Sequence, residues 1–268
     1  MADADLDGRL WEVVVATSDR GMSELRSVLR TDLFTAAAAA LSASRELIII
    51  GTGFPIQGQP ETDGPPGAFA LADALAALGK TVMIATWPEA AEIFAQVRAD
   101  LHFLGVERDE ASVRYFEANH TFVAIEICGK CGDGSYRNMR HEDISGQTPK
   151  FEAMFGTKAL IGIGDGGNEF GMGNLPDDFV ERWALCKPVA TCDHLLPGAT
   201  SNFATYALVA ALERSSGHRL LPDPSAHLSV IRELVRAGCV DGITGKRHEK
   251  VDGLPLKKTE QVLAELKQ

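Results

Sequence analysis

The chain carries few basic residues for its length. Among 268 residues, 26 lysines and arginines stand against 37 aspartates and glutamates, which gives a formal charge of −11 at pH 7. Proteins that bind nucleic acid or an anionic membrane surface need a basic face. The acidic balance therefore disfavours both of these partners.

Leader signals and long apolar runs are also scarce. Residues 1–9 are acidic and lack the apolar core of a secretory signal peptide. The longest apolar run, 33–41, is mostly alanine and falls well short of the about 20 residues that a membrane helix needs. Five cysteines, an odd number without a secretory signal, disfavour a disulfide framework, so we predict a cytoplasmic location.

Short apolar runs rich in β-branched residues predict strands that are covered on both faces. We predict such strands at 47–50, 81–85, 121–127, 159–163 and 189–192, with an edge strand at 112–116. Longer amphipathic segments predict helices at 21–43, 66–78, 88–104, 202–216, 225–237 and 258–267. This alternation indicates an α/β fold with a doubly wound, mostly parallel sheet in three α/β/α layers. We expect one domain over residues 1–268, with 1–19 as an N-terminal extension.

Glycine- and acid-rich loops follow four of these strands, at 51–66, 128–145, 164–173 and 193–202. The carboxyl ends of the strands form the ligand-binding edge of an open parallel sheet. We therefore expect seven acids to lie together at that edge, namely Glu61, Asp63, Glu126, Asp133, Asp165, Glu169 and Asp193. The bases in the same motifs are Lys130, Arg137 and Arg140. This acidic excess predicts a bound cation there, or carboxyl groups with strongly raised pKa values.

The run GIGDGG at 162–167 contains the G-x-G-x-x-G pattern of dinucleotide-binding turns. However, Asp165 and Glu169 would bring like charge to a pyrophosphate, which disfavours a NAD-type site. A tight turn with solvated acids is a second interpretation. We favour a third, in which Asp165 and Glu169 bind a cation, either a metal or an amine, and we expect no nucleotide cofactor.

Two further loops carry candidate site residues, and each has a structural alternative. Thr62 or Asp63 in the segment ETDGPPG could cap the next helix, although the long glycine- and proline-rich loop favours a binding role. Arg137 and Arg140 could clamp a carboxylate through their planar guanidinium groups, or form surface ion pairs. Glu126 lies inside an apolar run, which favours a site residue at the end of a strand.

Cys128 and Cys131 form a single C-x-x-C pattern, which occurs in redox pairs and in half of a zinc site. A zinc site would nominally be completed by Cys186, Cys192 and His194. The chain has no second C-x-x-C, so we favour two unrelated thiols.

The histidines complete no familiar catalytic motif. The sequence contains neither a G-x-S-x-G nor an H-E-x-x-H pattern, which disfavours serine-hydrolase and zincin functions. His141 and His194 fall in the acid-rich loops, whereas His102 and His227 lie in predicted helices and are interpreted as structural.

Taken together, these segments resemble the D-glutamate cyclase family. The matching stretches are 52–55 (TGFP), 61–68 (ETDGPPGA), 133–140 (DGSYRNMR), 143–145 (DIS), 161–173 (IGIGDGGNEFGMG), Asp193, Ser201-Asn202 and 251–254 (VDGL). The sequence departs from the family pattern at 86–88, 127–131 and 203–204. The resemblance implies cyclisation of D-glutamate to 5-oxo-D-proline with loss of water.

This reaction assigns roles to the candidate residues as hypotheses. Glu126, Asp165 and Glu169 are expected to hold a divalent cation or to orient the amine. Their oxygen ligands would suit Mg²⁺, Mn²⁺ or Ca²⁺. Asp63 or Asp133 would carry a proton, with Asp165 and Glu169 as further catalytic candidates.

Binding roles complete the expected site. Arg137 or Arg140, helped by the backbone N–H groups of Gly166 and Gly167, would bind the α-carboxylate. Further substrate contacts are expected from Thr52, Glu61, Asn138, Asn168, Asp193, Ser201 and Asn202. The expected partner is a small amino acid, and we predict a homo-oligomer.

Two other functions remain open from the residues alone. Acidic loops of this kind could serve a metal-dependent phosphoryl-ester hydrolase. A non-catalytic protein that binds an amino acid or a nucleotide is the other alternative.

Overall fold

The structure is a computed structural model that describes residues 3–18 and 20–268. Its central sheet contains the strands β1 (Leu47–Thr52), β2 (Val82–Thr86), β3 (Phe103–Gly105), β4 (His120–Ile125), β5 (Lys158–Gly164) and β6 (Thr191–Pro197). The strands lie in the order β3-β2-β1-β4-β5-β6, and every neighbouring pair is parallel. The order reverses between β1 and β4, as in a doubly wound sheet, so the predicted fold class is confirmed.

Helices flank this sheet, consistent with three layers. They are α1 (Asp3–Val15), α2 (Leu33–Ala43), α3 (Pro65–Ala77), α4 (Pro88–Val97), α5 (Phe151–Phe155), α6 (Asp177–Trp183), α7 (Ser201–Ser216), α8 (Pro224–Ala237) and α9 (Leu256–Leu266). Two short hairpins add Pro55–Ile56 with Gln59–Pro60, and Lys250–Val251 with Leu254–Pro255. Within the described part of the chain, no helix has the length and apolar character needed to cross a membrane.

The edge strand of the sheet differs from the prediction. Helix α4 ends at Val97, so the last part of the predicted helix 88–104 instead contains β3. Phe103 in β3 packs edge-on against the Phe69 ring, and this burial favours the strand over a longer helix. The predicted edge strand at 112–116 is wrong, because this segment pairs with no strand of the described sheet.

The last strand also has different bounds. It was predicted at 189–192, but β6 runs from Thr191 to Pro197. Asp193 and His194 therefore lie within the strand, not in the loop after it. Because β6 is an edge strand, its polar residues reach solvent, and this made the segment resemble a loop.

The predicted helix at 21–43 is interrupted. Met22–Ser27 forms a 3-10 helix, and α2 starts only at Leu33. The Asp7 carboxylate accepts hydrogen bonds from the backbone N–H groups of Phe34 (2.6 Å) and Thr35 (3.3 Å). Because these N–H groups have no partner within the helix, the carboxylate stabilises the start of α2.

Helix α1 was not predicted, nor were the short helices α5 and α6. Leu10, Trp11 and Val14 of α1 are buried in the main hydrophobic core. The helix packs against α7 and α9. Residues from the expected N-terminal extension therefore contribute to the core.

Candidate active site

A cavity of about 220 Å³ lies at the carboxyl ends of β1, β4 and β5, where the strand order reverses. Its lining contains two chemically distinct groups. The acidic group consists of Glu61, Glu126, Glu142, Asp165, Glu169 and Asp252. The apolar group consists of Phe54, Ile56, Met139, Ile144 and Ile243. Arginine side chains also reach the cavity, and among the described residues these are Arg20 and Arg140.

Three of the acids form a tight, buried cluster. Glu126 follows β4, Asp165 and Glu169 follow β5, and their carboxylate oxygens lie within 4.8 Å of one another. The Glu126 backbone has a positive φ of 48°, and its Oε2 accepts a 2.6 Å hydrogen bond from the Ser201 hydroxyl. The structure therefore brings together the three residues expected to bind a cation.

Two oxygens of this cluster have no protein partner. Glu169 Oε1 accepts hydrogen bonds from the backbone N–H groups of Asp165 (3.1 Å) and Gly166 (2.5 Å). In contrast, Glu169 Oε2 and Asp165 Oδ2 are buried without a hydrogen-bond donor among the described residues. Buried polar atoms are rarely left unpaired, so these two oxygens are suited to bind a cation, a proton or a water molecule.

The same contacts bear on the dinucleotide alternative and on the expected roles of Gly166 and Gly167. A dinucleotide site needs free backbone N–H groups for its pyrophosphate. Here the Glu169 carboxylate already occupies the N–H groups of Asp165 and Gly166. The Gly166 N–H is therefore not free for the substrate carboxylate, and Gly167 packs against Leu185 outside the cavity lining.

Asp165 also belongs to a second carboxylate group. Its side chain lies with Asp63 and Asp252, again with oxygens within 4.8 Å of one another. Arg20 bridges this group, because its Nη1 donates to Asp165 Oδ1 and its Nη2 to Asp252 Oδ2, both at 2.5 Å. The Arg20 side chain is only 18 % exposed, so the guanidinium is a nearly buried counter-charge.

Burial and mutual repulsion raise the pKa values of Glu61, Glu126 and Asp165. For Glu126, burial is the main cause, followed by the nearby Glu169 and Asp165 carboxylates, and the pKa lies well above its usual value. Burial and Asp252 likewise raise the pKa of Glu61. For Asp165, burial raises the pKa although Arg20 opposes the shift. These directions agree with the prediction drawn from the local charge balance.

Asp63 and Asn202 form a reciprocal cap between two helices beneath the cavity. The Asp63 carboxylate accepts hydrogen bonds from the backbone N–H groups of Ser201 (2.7 Å) and Asn202 (2.9 Å), at the start of α7. The Asn202 amide oxygen accepts from Gly64 (3.1 Å) and Gly67 (2.8 Å), at the start of α3. Both residues are fully buried and lie outside the cavity lining, so they support the site from below.

Thr52 supports the site in a similar way. It is fully buried at the end of β1 and does not line the cavity. Gly64 lies against it with a φ of +93°, and an added Cβ there would lie 2.8 Å from Thr52 Oγ1 and 2.7 Å from Glu126 Cβ. Only glycine allows α3 to start this close to Glu126.

Three of the expected residues lie elsewhere. Asp133 is exposed and pairs with Arg137 at 2.9 Å. The Arg137 guanidinium also donates to the His141 carbonyl, so it forms surface contacts and does not line the cavity. Asp193 pairs with Lys158 at 2.6 Å near the amino ends of β5 and β6, because β6 extends beyond it.

Three other expected residues do line the cavity. Asn168 and Asn138 reach it, and the Asn168 amide donates to the Arg137 carbonyl at 2.8 Å. Arg140 lines the cavity from an exposed loop, where its Nη2 lies 3.4 Å from the carbonyl oxygen of Ile243. Of the two arginines predicted to clamp a carboxylate, Arg140 is therefore the one that reaches the cavity.

The cysteines form no metal centre in the described part of the chain. All five are free thiols, and the described groups that could hold a metal contain only aspartate and glutamate. Cys128 is buried, whereas Cys186 Sγ lies 3.0 Å from His141 Nδ1 at the surface. The C-x-x-C pattern is thus neither a disulfide nor part of a described metal cluster.

The two histidines interpreted as structural have different surroundings. His227 is buried in α8 and its Nε2 lies 2.7 Å from the Tyr206 hydroxyl. His102 is exposed, and it lies after the end of α4, not within a helix.

Sequence reasoning missed Arg20 and Asp252. Asp252 lies in the VDGL stretch at 251–254, which was recognised as a motif but given no role. Arg20 lies next to the expected N-terminal extension and carries no local motif. The signal for Arg20 was the unbalanced charge of the loops, which needs a buried cation in the folded chain, whereas the signal for Asp252 was the VDGL motif itself.

Comparisons with known proteins show the family of the chain. The family model described as "D-glutamate cyclase-like, C-terminal" matches residues 13–267. A curated human protein, "D-glutamate cyclase, mitochondrial", is 30 % identical over 298 aligned positions that cover 90 % of this chain and 48 % of the human protein. The chain thus spans about half the length of this relative. On this evidence, the chain belongs to the D-glutamate cyclase-like, C-terminal family.

Proposed function

We propose that the chain is a lyase that cyclises D-glutamate to 5-oxo-D-proline. The α-nitrogen attacks the γ-carboxyl carbon, and the two protons that the nitrogen loses leave with one carboxyl oxygen as water. The proposal rests on the family and on one observation, the buried Glu126–Asp165–Glu169 cluster with two unpartnered oxygens at the cavity. No nucleotide cofactor is proposed, because holding the chain of glutamate curled supplies a large effective molarity.

The cluster fits a divalent metal. Glu126, Asp165 and Glu169 each offer a carboxylate oxygen, and oxygen ligands suit Mg²⁺, Mn²⁺ or Ca²⁺. The unpartnered Asp165 Oδ2 and Glu169 Oε2 are the atoms that would coordinate the ion. When bound, such an ion would act as a Lewis acid on the γ-carboxyl group.

Glu61 is the proposed proton carrier. It lines the cavity, and burial with the nearby Asp252 carboxylate raises its pKa, which makes it a stronger base for the α-ammonium. Asp63, an earlier candidate, uses its carboxylate to cap α7, and Asp133 is exposed on the surface. Glu61 thus replaces both in the proposed mechanism.

Arg140 is the proposed partner of the α-carboxylate. Its guanidinium can form two parallel hydrogen bonds to a carboxylate. It lines the cavity, whereas Arg137 is held by Asp133 and by the His141 carbonyl. Asn138 and Asn168 line the cavity and add polar contacts to the proposed binding site. The cytoplasmic location and the homo-oligomeric state stay predictions.

The reaction can be tested by mass spectrometry after incubation with D- or L-glutamate. We expect loss of one water from the D isomer, loss of activity with a chelator, and recovery when Mg²⁺ or Mn²⁺ is added. Asp165→Asn should abolish turnover while the circular dichroism spectrum is unchanged. Asp177→Asn, an exposed residue paired with Lys187, is the matched control.

Other outcomes would point elsewhere. Full activity of Asp165→Asn would remove this carboxylate from the mechanism. If the protein cyclises neither isomer of glutamate in the presence of any of the added metals, the proposal fails. Release of phosphate from an aryl phosphate would then favour the hydrolase alternative.

A further inference from the structure

The apolar group of the cavity has no partner in free glutamate. Met139 and Ile243 are 45 % and 39 % exposed, and they are two of the five exposed large hydrophobic residues in the described part of the chain. Both line the cavity, next to the buried Phe54 and Ile144. Contiguous exposed apolar surface at a cavity is typical of a binding site.

The loops that carry these two residues lie against each other. Arg140, next to Met139, reaches the carbonyl oxygen of Ile243 over 3.4 Å. The Asp241 carboxylate fixes the second loop, because it accepts hydrogen bonds from the backbone N–H groups of Thr244 (3.1 Å) and Gly253 (2.6 Å). The two loops are thus tied to each other at the cavity, and the backbone of the second loop is fixed by Asp241.

The charge of the cavity also favours a ligand that is less negative than free glutamate. Its acidic group has six carboxylates, whereas the arginines that reach it are Arg20 and Arg140 among the described residues. Free glutamate at neutral pH brings two carboxylates and one ammonium group, a net charge of −1. A γ-amide of glutamate has no γ-carboxylate and is neutral overall, so it meets less repulsion.

We propose that the site also cyclises γ-amides of D-glutamate whose amine portion is apolar and contacts Met139 and Ile243. The inference rests on the proposed function, because it uses the same attack of the α-nitrogen on the γ-carbon. It adds a substrate class whose leaving group is an amine in place of water.

The step balances without a co-reactant. The α-nitrogen, in its amine form, forms a bond to the γ-carbonyl carbon and loses one proton to a carboxylate. The bond between the γ-carbon and the amide nitrogen then breaks, and that nitrogen takes the proton from the carboxyl group. The products are 5-oxo-D-proline and the free amine, and no water is consumed.

γ-D-Glutamyl-p-nitroanilide tests the proposal, because p-nitroaniline is coloured when released. We expect release together with an equal amount of 5-oxo-D-proline. The N-acetyl derivative, whose nitrogen cannot attack, and the α-anilide, whose leaving group is on the wrong carbon, should both release no p-nitroaniline. D-Glutamate is assayed in parallel by mass spectrometry.

Substitutions at the apolar group test where the amine portion binds. Met139→Ser with Ile243→Ser should lower kcat/KM for the anilide relative to that for D-glutamate by about tenfold or more, mainly through KM. Tyr115→Ser removes another exposed apolar side chain, outside the cavity lining, and should leave that ratio unchanged.

Each other outcome has a definite meaning. Release from the N-acetyl derivative would mean hydrolysis and would overturn the inference. Cyclisation of D-glutamate without release from the anilide would overturn the inference and leave the proposed function intact. If neither the anilide nor D-glutamate is cyclised, both the inference and the proposed function are overturned. If the double variant leaves the ratio of the two kcat/KM values unchanged, Met139 and Ile243 do not bind the amine portion.

Discussion

Arg20 Nη1 donates to Asp165 Oδ1 at 2.5 Å, while the other oxygen of the same carboxylate has no partner among the described residues. One oxygen is thus fixed by the protein, and the other is available to a ligand. Because its two oxygens have different surroundings, Asp165 is both a structural residue and the proposed centre of the chemistry.

Arg20→Ala should destabilise the fold by about 3 kcal/mol, because it leaves the buried Asp165 and Asp252 carboxylates without their counter-charge. Urea unfolding measures this free energy. Arg30→Ala removes an exposed ion pair with Asp32 and should cost less than about 1 kcal/mol. Equal losses of unfolding free energy in the two variants would show that Arg20 does not act as a buried counter-charge.

Added Mg²⁺ or Ca²⁺ should partly restore the stability of Arg20→Ala. The lost guanidinium leaves Asp63, Asp165 and Asp252 with oxygens close enough to hold a cation. A ligand that binds only the folded state raises its stability. Thermal unfolding with and without the cation checks this, and an identical rise in wild type and variant would argue against it.

Arg140→Ala should raise KM for D-glutamate about tenfold or more with a smaller effect on kcat, because the lost contact is made to the bound substrate before and during the reaction. Arg137→Ala should raise KM less, since its guanidinium is held by Asp133 and by the His141 carbonyl. Steady-state kinetics on both variants measures the difference. A larger effect at Arg137 would reassign the carboxylate contact.

His227 should make stability depend on pH. Burial lowers its pKa to about 4, below the about 6.5 of an unfolded histidine. The unfolded chain therefore binds one more proton between these values, and stability should fall by about 3 kcal/mol as the pH drops from 6.5 to 4. Well above pH 6.5 both states are neutral at this residue, and its contribution is constant.

Unfolding curves of His227→Gln across this pH range isolate the effect. Glutamine can still reach the Tyr206 hydroxyl but does not titrate, so the variant should lose less stability on acidification than wild type. His218→Gln changes an exposed histidine and should follow the wild-type curve. Parallel curves for wild type and His227→Gln would refute the assignment.

Gly64→Ala should lower both stability and turnover. The new Cβ would crowd Glu126 and Thr52 at a positive φ, and we expect a loss of about 2 to 3 kcal/mol. Gly79→Ala also has a positive φ, but its Cβ would meet nothing within 4 Å, so its cost should be about 1 kcal/mol. Activity should be retained at Gly79→Ala, and its loss there would weaken the steric argument.

The sequence predicted those parts of the site that directly follow a strand. Glu126, Asp165 and Glu169 come next to buried apolar runs, and the parallel sheet places these strand ends side by side. Asp193 follows a similar run, but the strand continues through it because β6 lies at the sheet edge and tolerates polar residues.

The missing parts depend on contacts with no local pattern. Arg20 meets Asp165 and Asp252 across 145 and 232 residues. Such pairs follow from the packing of α1 and of the hairpin at Lys250–Val251, which no periodicity in the sequence encodes. Likewise, helix capping and catalysis both favour acids before a helix, so the sequence does not distinguish Asp63 from Glu61. In the structure, Asp63 caps α7 and Glu61 lines the cavity.

The Arg20 bridge also bears on how the chain folds. It joins Arg20 to Asp252 across 232 residues, so a nascent chain cannot make it until Asp252 has left the ribosome. Contacts of this sequence separation form late, because closing so long a loop costs entropy before any interaction is gained. We therefore expect the Asp165 and Asp252 carboxylates to stay in water until the hairpin at Lys250–Val251 docks, so that their desolvation belongs to a late step of folding.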